Sequence, residues 1–159
     1  MNIAVVYFSL EGNTRFIAEK ISDNLSADLI ELRPQKAYPT GNFSKYFWGG
    51  KSASFKETPV LMPYDFKNND YDLVILGMPL WAWQVTPPIR TFLKENNLED
   101  KKVAAFISCA GGDPTKAYAE LKNLIGGQEL VAGMTLVNPL NSKEDVEGKV
   151  EEFCKGLMA

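Results

Sequence analysis

The sequence contains no histidine and only two cysteines, and both shortages exclude whole classes of chemistry. Without histidine the chain cannot build a Ser-His-Asp or Cys-His nucleophile, a His-Glu-x-x-His zinc helix, or a His-ligated haem or copper site. Cys109 and Cys154 are far apart and form no Cys-x-x-Cys pair, so a four-cysteine zinc or iron–sulfur site is excluded as well. Sparse cysteine is typical of the reducing cytosol, and we therefore expect a cytoplasmic protein.

Long apolar runs and a basic leader are also missing. No apolar run approaches the roughly 20 residues of a membrane span, and the N-terminus lacks the basic segment of a signal peptide. The net charge of −3 argues against nucleic acid as a partner. The 159 residues, 45% hydrophobic and 23% charged, have the composition of one globular domain spanning residues 1–159. We expect a monomer or weak dimer without a membrane partner.

Apolar runs and helical patterns alternate along the chain. Five runs predict buried strands: Ile3–Phe8, Leu29–Leu32, Asp72–Met78, Val103–Ile107 and Leu130–Val137. Apolar residues at helical spacing follow four of them and predict helices around Ile17 and Ile21, from Pro87 through Leu93, after Asp113, and from Val146 to Leu157. The alternation predicts an α/β three-layer sandwich, with a five-stranded parallel sheet in the order 2-1-3-4-5.

Residues 34–70 interrupt this alternation and are too long for a simple connection. We expect an irregular excursion, because helical periodicity is weak there, and long loops in compact domains are usually functional or flexible. Eight aromatic residues argue against disorder, since their rings need somewhere to pack: Tyr38, Phe43, Tyr46, Phe47, Trp48, Phe55, Tyr64 and Phe66.

In open α/β sheets, ligands bind beyond the carboxyl ends of the strands, where the strand order reverses. Three segments should meet at that edge: the first loop (Ser9–Arg15), the second loop (Pro79–Pro88) and the third loop (Ser108–Asp113).

The first loop joins a buried strand to the start of a helix. Free backbone N–H groups and about half a positive charge of helix dipole collect there, which suits a phosphate. Four of its residues offer hydroxyls, an amide and close backbone approach: Ser9, Thr14, Asn13 and Gly12. Glu11 would point its side chain to solvent. The loop lacks the lysine of a P-loop and is not Gly-x-Gly-x-x-Gly, so an ordinary capped turn is the alternative.

The second and third loops differ in chemistry. Trp81 and Trp83 lie in the second loop and can sandwich a planar ring, or they can simply cover the end of the sheet. In the third loop, Gly111 and Gly112 let backbone amides face a polar ligand edge. Asp113 caps the next helix or contacts the ligand. Cys109 is a small apolar filler rather than a nucleophile, because no base is available to activate it.

The three loops together describe one ligand, a planar heterocycle that carries a phosphate. FMN matches all three parts, with its phosphate on the first loop, its isoalloxazine against the second, and its pyrimidine edge on the third. The predicted cofactor-binding residues are Ser9, Leu10, Glu11, Gly12, Asn13, Thr14, Pro79, Leu80, Trp81, Ala82, Trp83, Cys109, Ala110, Gly111, Gly112 and Asp113. No catalytic residue and no metal ligand is predicted.

These motifs resemble the flavodoxin family over almost the whole chain. Ser9–Thr14 is similar to the family's phosphate loop, a hydroxyl residue followed by Thr/Glu-Gly-Asn-Thr. Met78–Trp83 with Pro87-Pro88 is similar to a Pro-Ile-Trp-Trp-Gly…Pro-Pro turn of its clostridial and lactobacillal branch, and Ser108–Gly112 is similar to its third flavin loop. Because the fifth strand runs straight into Asn138-Pro139, the chain resembles the short-chain type. The resemblance implies a flavodoxin-like fold and a noncovalent FMN redox protein.

The chain departs from the family in two places. Ala82-Trp83-Gln84 stands where flavodoxins have glycine and often aspartate, and a positive φ is sterically costly for alanine. Residues 34–60 carry a net charge of +3 and the remaining residues −6, whereas the family's carriers are generally far more acidic. This basic segment is either a solvated lysine face or an entry for an anionic donor or a quinone.

Three functions are compatible with the sequence to different degrees. The first is a flavodoxin-like carrier that moves electrons between redox partner proteins. The second is an NAD(P)H-dependent quinone or flavin reductase using the same site, in which case a small quinone and NAD(P)H are the partners. The third, a receiver-type binding module, requires acidic residues around a magnesium ion, but the first strand ends in Tyr7-Phe8-Ser9 with no acidic pair.

Overall fold

The computed structural model describes residues 1–38 and 56–159. In these residues, five parallel strands form one sheet. The strands are β1 (Ile3–Tyr7), β2 (Asp28–Glu31), β3 (Leu73–Pro79), β4 (Lys102–Cys109) and β5 (Ala132–Val137). Their order is β2-β1-β3-β4-β5, which confirms the predicted fold class and strand order. All five residues of β1 are buried, as expected for a central parallel strand.

In the part of the chain that the structure describes, four helices cover the two faces of the sheet. They are α1 (Asn13–Leu25), α2 (Pro87–Glu95), α3 (Thr115–Leu124) and α4 (Lys143–Met158). On one face, α1 and α4 bury residues such as Ile17 and Val150. On the other face, α2 and α3 bury residues such as Phe92 and Leu121. No helix within residues 1–38 and 56–159 has the length and apolar character to cross a membrane.

Strand ends differ from the predicted ones by one or two residues. Leu130 and Val131 precede β5, although the N–H of Val131 already donates to the carbonyl of Val103 at 2.8 Å. In contrast, β4 continues to Cys109, two residues beyond the predicted end, because it still pairs there with Val137 of β5. The apolar run alone does not predict the end of β4, because backbone pairing with β5 continues through Ser108 and Cys109.

Residues 60–62 return to the place where the 34–70 excursion begins. The N–H of Gln35 donates to the carbonyl of Val60 at 2.9 Å, and that of Met62 donates to the carbonyl of Arg33 at 2.7 Å. The returning chain then packs on α2, where the rings of Phe66 and Phe92 lie 4.9 Å apart between centroids.

Three of the eight predicted aromatic residues lie in the described part of the excursion, and each packs against other rings. Tyr38 packs on Phe8, whereas Tyr64 and Phe66 pack on Phe92. The other five lie outside the described residues: Phe43, Tyr46, Phe47, Trp48 and Phe55.

Candidate functional site

A cavity of about 500 Å³ lies at the carboxyl edge of the sheet. Its volume is within the range of small-molecule and cofactor sites. Residues from all three predicted loops line it, because the carboxyl ends of β1, β3 and β4 are neighbours in this strand order. Fourteen of the sixteen predicted residues line the cavity: Ser9, Leu10, Glu11, Asn13, Thr14, Pro79, Leu80, Trp81, Ala82, Trp83, Cys109, Ala110, Gly111 and Gly112.

Gly12 and Asp113 are the two predicted residues that do not line the cavity. Gly12 shapes the first loop through its backbone. Asp113 is exposed, and its carboxylate accepts hydrogen bonds from the hydroxyl and the backbone N–H of Thr115, which lower the pKa of Asp113. Asp113 therefore binds the first residue of α3 from the position before the N-cap, Pro114, and is not itself the N-cap.

Two lining residues were absent from the predicted set, Ser108 and Asn138. Ser108 is the first residue of the third loop and is buried. Asn138 follows β5 with a φ of 45°, and its N–H donates to the carbonyl of Cys109 at 2.8 Å. The sequence could have indicated Asn138 by its position, because it follows the carboxyl end of β5 just as the three loops follow β1, β3 and β4. Asparagine also tolerates this left-handed conformation.

The first loop turns sharply into α1. Gly12 has a φ of 97°, a conformation that favours glycine, and its N–H donates to Ser9 Oγ at 3.1 Å. The N-cap residue of the helix that begins at Asn13 is Gly12, which has no side chain to cap it. The first-turn N–H groups therefore stay available to a ligand, at the end where the helix dipole is positive.

Within residues 1–38 and 56–159, no cationic side chain lines this cavity. Arg15, in the first turn of α1, instead pairs with Glu31 at 2.7 Å and donates to the hydroxyl of Tyr7 at 3.2 Å. Burial raises the pKa of Tyr7, while the bond from Arg15 opposes the rise. Among the described lining residues Glu11 is the only charged one, so the donors that these residues offer to an anion are neutral N–H and O–H groups.

The second loop contains a tight turn with an unusual backbone. The N–H of Gln84 donates to the carbonyl of Trp81 at 2.9 Å. Between them, Ala82 has a φ of 49° and Trp83 a φ of 58°. Two consecutive positive φ values define a type I′ turn, which normally selects Asn-Gly. Ala82 therefore adopts a positive φ despite the expected steric cost. A non-glycine residue in this conformation costs roughly 1–2 kcal/mol.

The two tryptophans of this loop have different surroundings. Trp81 makes edge-to-face contacts with Phe8 and Tyr38, at centroid distances of 5.3 and 5.1 Å. Trp83 is 60% exposed although it lines the cavity. Trp81 is thus part of a packed aromatic wall, whereas Trp83 has a large surface that the described chain does not cover.

Gly112 brings the third loop close to Trp83. A Cβ atom at Gly112 would lie 3.2 Å from Trp83 Nε1, and Gly112 has a φ of 100°. Both the backbone conformation and the close approach therefore favour glycine at this position.

The comparison with known families decides the assignment. The flavodoxin family model matches residues 2–153. The chain belongs to the flavodoxin family. This confirms the resemblance stated from the sequence and, with it, FMN as the cofactor. No curated protein sequence matches the chain.

Solved structures of flavoproteins and flavodoxins share the fold. A flavoprotein from Lactobacillus acidophilus, solved in complex with FMN, has 20% identity and a TM-score of 0.73, with 89% of this chain and 97% of that chain covered. A Bacteroides uniformis protein provisionally named a flavoprotein has 23% identity and a TM-score of 0.78, covering 92% and 96%. A flavodoxin of Streptococcus pneumoniae has 17% identity and a TM-score of 0.61, covering 99% and 98%.

The donor set of the cavity fits FMN. An uncapped helix end with neighbouring hydroxyls suits its phosphate, and indole surfaces suit its flat ring. Main-chain groups of the glycine-containing third loop suit the polar edge of that ring.

Proposed function

We propose that this flavodoxin carries electrons between partner proteins, with FMN bound in the cavity at the carboxyl edge of the sheet. The observation that supports this most strongly is the convergence of three different chemistries on one cavity. They are the helix N-terminus of the first loop, the tryptophan turn of the second and the glycines of the third.

The phosphate is held by the first loop. Thr14 and Ser9 contribute hydroxyls, Asn13 contributes its amide, and the backbone N–H groups at the start of α1 complete the donor set. Glu11 contributes its backbone alone, because a carboxylate beside a phosphate is repelled.

The ring is held between the second and third loops. Trp83 would stack on it, Leu80 and Ala82 would add apolar contact, and the main chain of Ala110, Gly111 and Gly112 would face its polar edge, since all six line the cavity. When bound, FMN supplies the electron chemistry. The chain's own residues hold it, exclude water from its faces and set the polarity around it.

The lining offers little acid–base chemistry, and this favours a carrier over an enzyme. The chain has no histidine, and in the described lining the ionisable side chains are those of Glu11 and Cys109. Glu11 is exposed at the rim. An electron carrier needs no proton donor or acceptor at a fixed place, whereas many oxidoreductases do.

Steady-state NAD(P)H oxidation with a quinone acceptor tests this proposal. The purified FMN-loaded protein alone should show no turnover above free FMN, but should reduce a haem-protein acceptor when a flavodoxin reductase is added. Rapid NAD(P)H oxidation by the protein alone would contradict the carrier role and identify a reductase.

A reductive titration followed by absorbance gives an independent result. A carrier should take up electrons one at a time, with a distinct spectrum at half reduction. Two-electron uptake without that spectrum would count against the proposal.

A further inference from the structure

Ser108 contacts all three loops of the cavity. It is 2% exposed, and its Oγ lies 2.7 Å from Oγ1 of Thr14 in the first loop. Its backbone carbonyl accepts the N–H of Leu80 in the second loop at 2.9 Å. Ser108 itself begins the third loop. One small residue at the end of β4 therefore links the three segments that form the site.

The hydroxyls of Ser108 and Thr14 have two hydrogens, and only one of them is used in the bond between the two residues. Each hydroxyl has a single hydrogen, so the bond between Ser108 and Thr14 uses one of two. Within residues 1–38 and 56–159, no second hydrogen-bond partner is found for either oxygen. Both residues line the cavity, so the second hydrogen is available to an acceptor on a ligand.

The position of Thr14 decides which hydroxyl supplies that hydrogen. Thr14 lies in the first turn of α1, beside the uncapped N–H groups, whereas Ser108 lies on the strand. A hydroxyl that already accepts one hydrogen bond is polarised and becomes a better donor. The arrangement in which Ser108 donates to Thr14 therefore directs the stronger donor to the helix end.

We propose that Ser108 is a positioning residue for the phosphate of the cofactor. Its hydroxyl donates to Thr14 Oγ1 and so orients the hydrogen of Thr14 toward the phosphate. This inference rests on the proposed placement of the phosphate on the first loop. It adds a residue that acts on the phosphate through Thr14 without a contact of its own.

Comparing FMN with riboflavin tests the role, because riboflavin has the same ring and lacks the phosphate. Ser108→Ala should weaken FMN binding to the apoprotein about tenfold and change riboflavin binding by less than twofold. Thr14→Val should weaken FMN binding further. Adding Ser108→Ala to Thr14→Val should have no additional effect, since Ser108 acts through the Thr14 hydroxyl.

Ser22→Ala is the matched control. It removes a hydroxyl that donates to the carbonyl of Ala27 at 2.7 Å, at the far end of α1. Both ligands should bind this variant as they bind the unmodified protein. If Ser108→Ala does not fold, Ser108→Cys replaces the hydroxyl with a weak donor and should show the same selective loss for FMN.

Equal loss for FMN and riboflavin would show that Ser108 only supports the loops, and this would overturn the inference. Unchanged binding of both ligands, or additive effects with Thr14→Val, would overturn it as well. Failure of the unmodified protein to bind FMN would instead contradict the proposed function itself.

Discussion

At Gly12, backbone conformation and ligand chemistry favour the same small residue. Its φ of 97° is costly for other residues, and, apart from its chain neighbours, a Cβ there would meet no atom of residues 1–38 and 56–159 within 4 Å. A side chain at this position would therefore enter open space beside the first turn of α1. Gly12→Asp should place a carboxylate near the bound phosphate and weaken FMN binding by roughly 3 kcal/mol or more.

Gly148→Asp is the matched control for that substitution. It adds the same charge at an exposed position in α4. Fluorescence titration with FMN should give a normal affinity for this variant. Similar affinities of the two variants would contradict the role of the first loop.

Trp81 and Trp83 should respond differently to replacement by alanine. Trp81→Ala removes two edge-to-face contacts, with Phe8 and Tyr38, and should lower the free energy of unfolding of the apoprotein by about 2 kcal/mol. Trp83→Ala removes an exposed ring, so stability should hardly change, while FMN affinity falls by about 1 kcal/mol or more.

Urea unfolding of the apoproteins and FMN titration separate these effects. If neither variant changes FMN affinity or the flavin spectrum, the aromatic side of the site is assigned wrongly.

Cys154 lies in the core and should make stability depend on pH in the alkaline range. Burial raises the pKa of its thiol to about 11, from a usual value of 9.0. Because the unfolded chain loses this proton first, the free energy of unfolding should fall as pH rises from about 9 to 11, by about 2 kcal/mol.

Urea unfolding at several pH values checks this expectation. Cys154→Ala should be less stable at neutral pH because it leaves a small cavity, and it should lose less stability between pH 8 and 11. Equal alkaline losses in both proteins would contradict the assignment to Cys154.

Among the elements, the turn from Trp81 to Gln84 shows the limit of sequence reasoning. The strands and helices follow from apolar runs and periodicity, because burial on the sheet selects those residues. The positive φ values of Ala82 and Trp83 do not follow, since local propensity disfavours them. Burial of Gln84 and the bond from Leu80 to Ser108 hold the loop on both sides of the turn.

Relief of this backbone strain should stabilise the protein. Ala82→Gly should raise the free energy of unfolding by about 0.5–1 kcal/mol, because glycine adopts positive φ without steric cost. Ala119→Gly, an exposed position within α3, should lower it by about 1 kcal/mol. Thermal unfolding of both variants provides the comparison, and destabilisation by Ala82→Gly would show that the turn is not strained.

For the whole molecule, the strand order predicts where the site lies. Once β1, β3 and β4 are adjacent, their loops must meet, so fourteen predicted residues line one cavity. Asn138 was missed because it lies after the edge strand, and its approach depends on a backbone bond to Cys109. The link between Thr14 and Ser108 joins positions 94 residues apart, and no local pattern encodes it.

Titration of the apoprotein with FMN and with riboflavin, followed by flavin fluorescence, tests most directly whether the three loops bind the nucleotide. If they do, FMN should saturate at one equivalent, the neighbouring indole should quench the flavin, and riboflavin should bind clearly more weakly. FMN fluorescence that stays unchanged at excess apoprotein would show that the three loops do not bind this nucleotide.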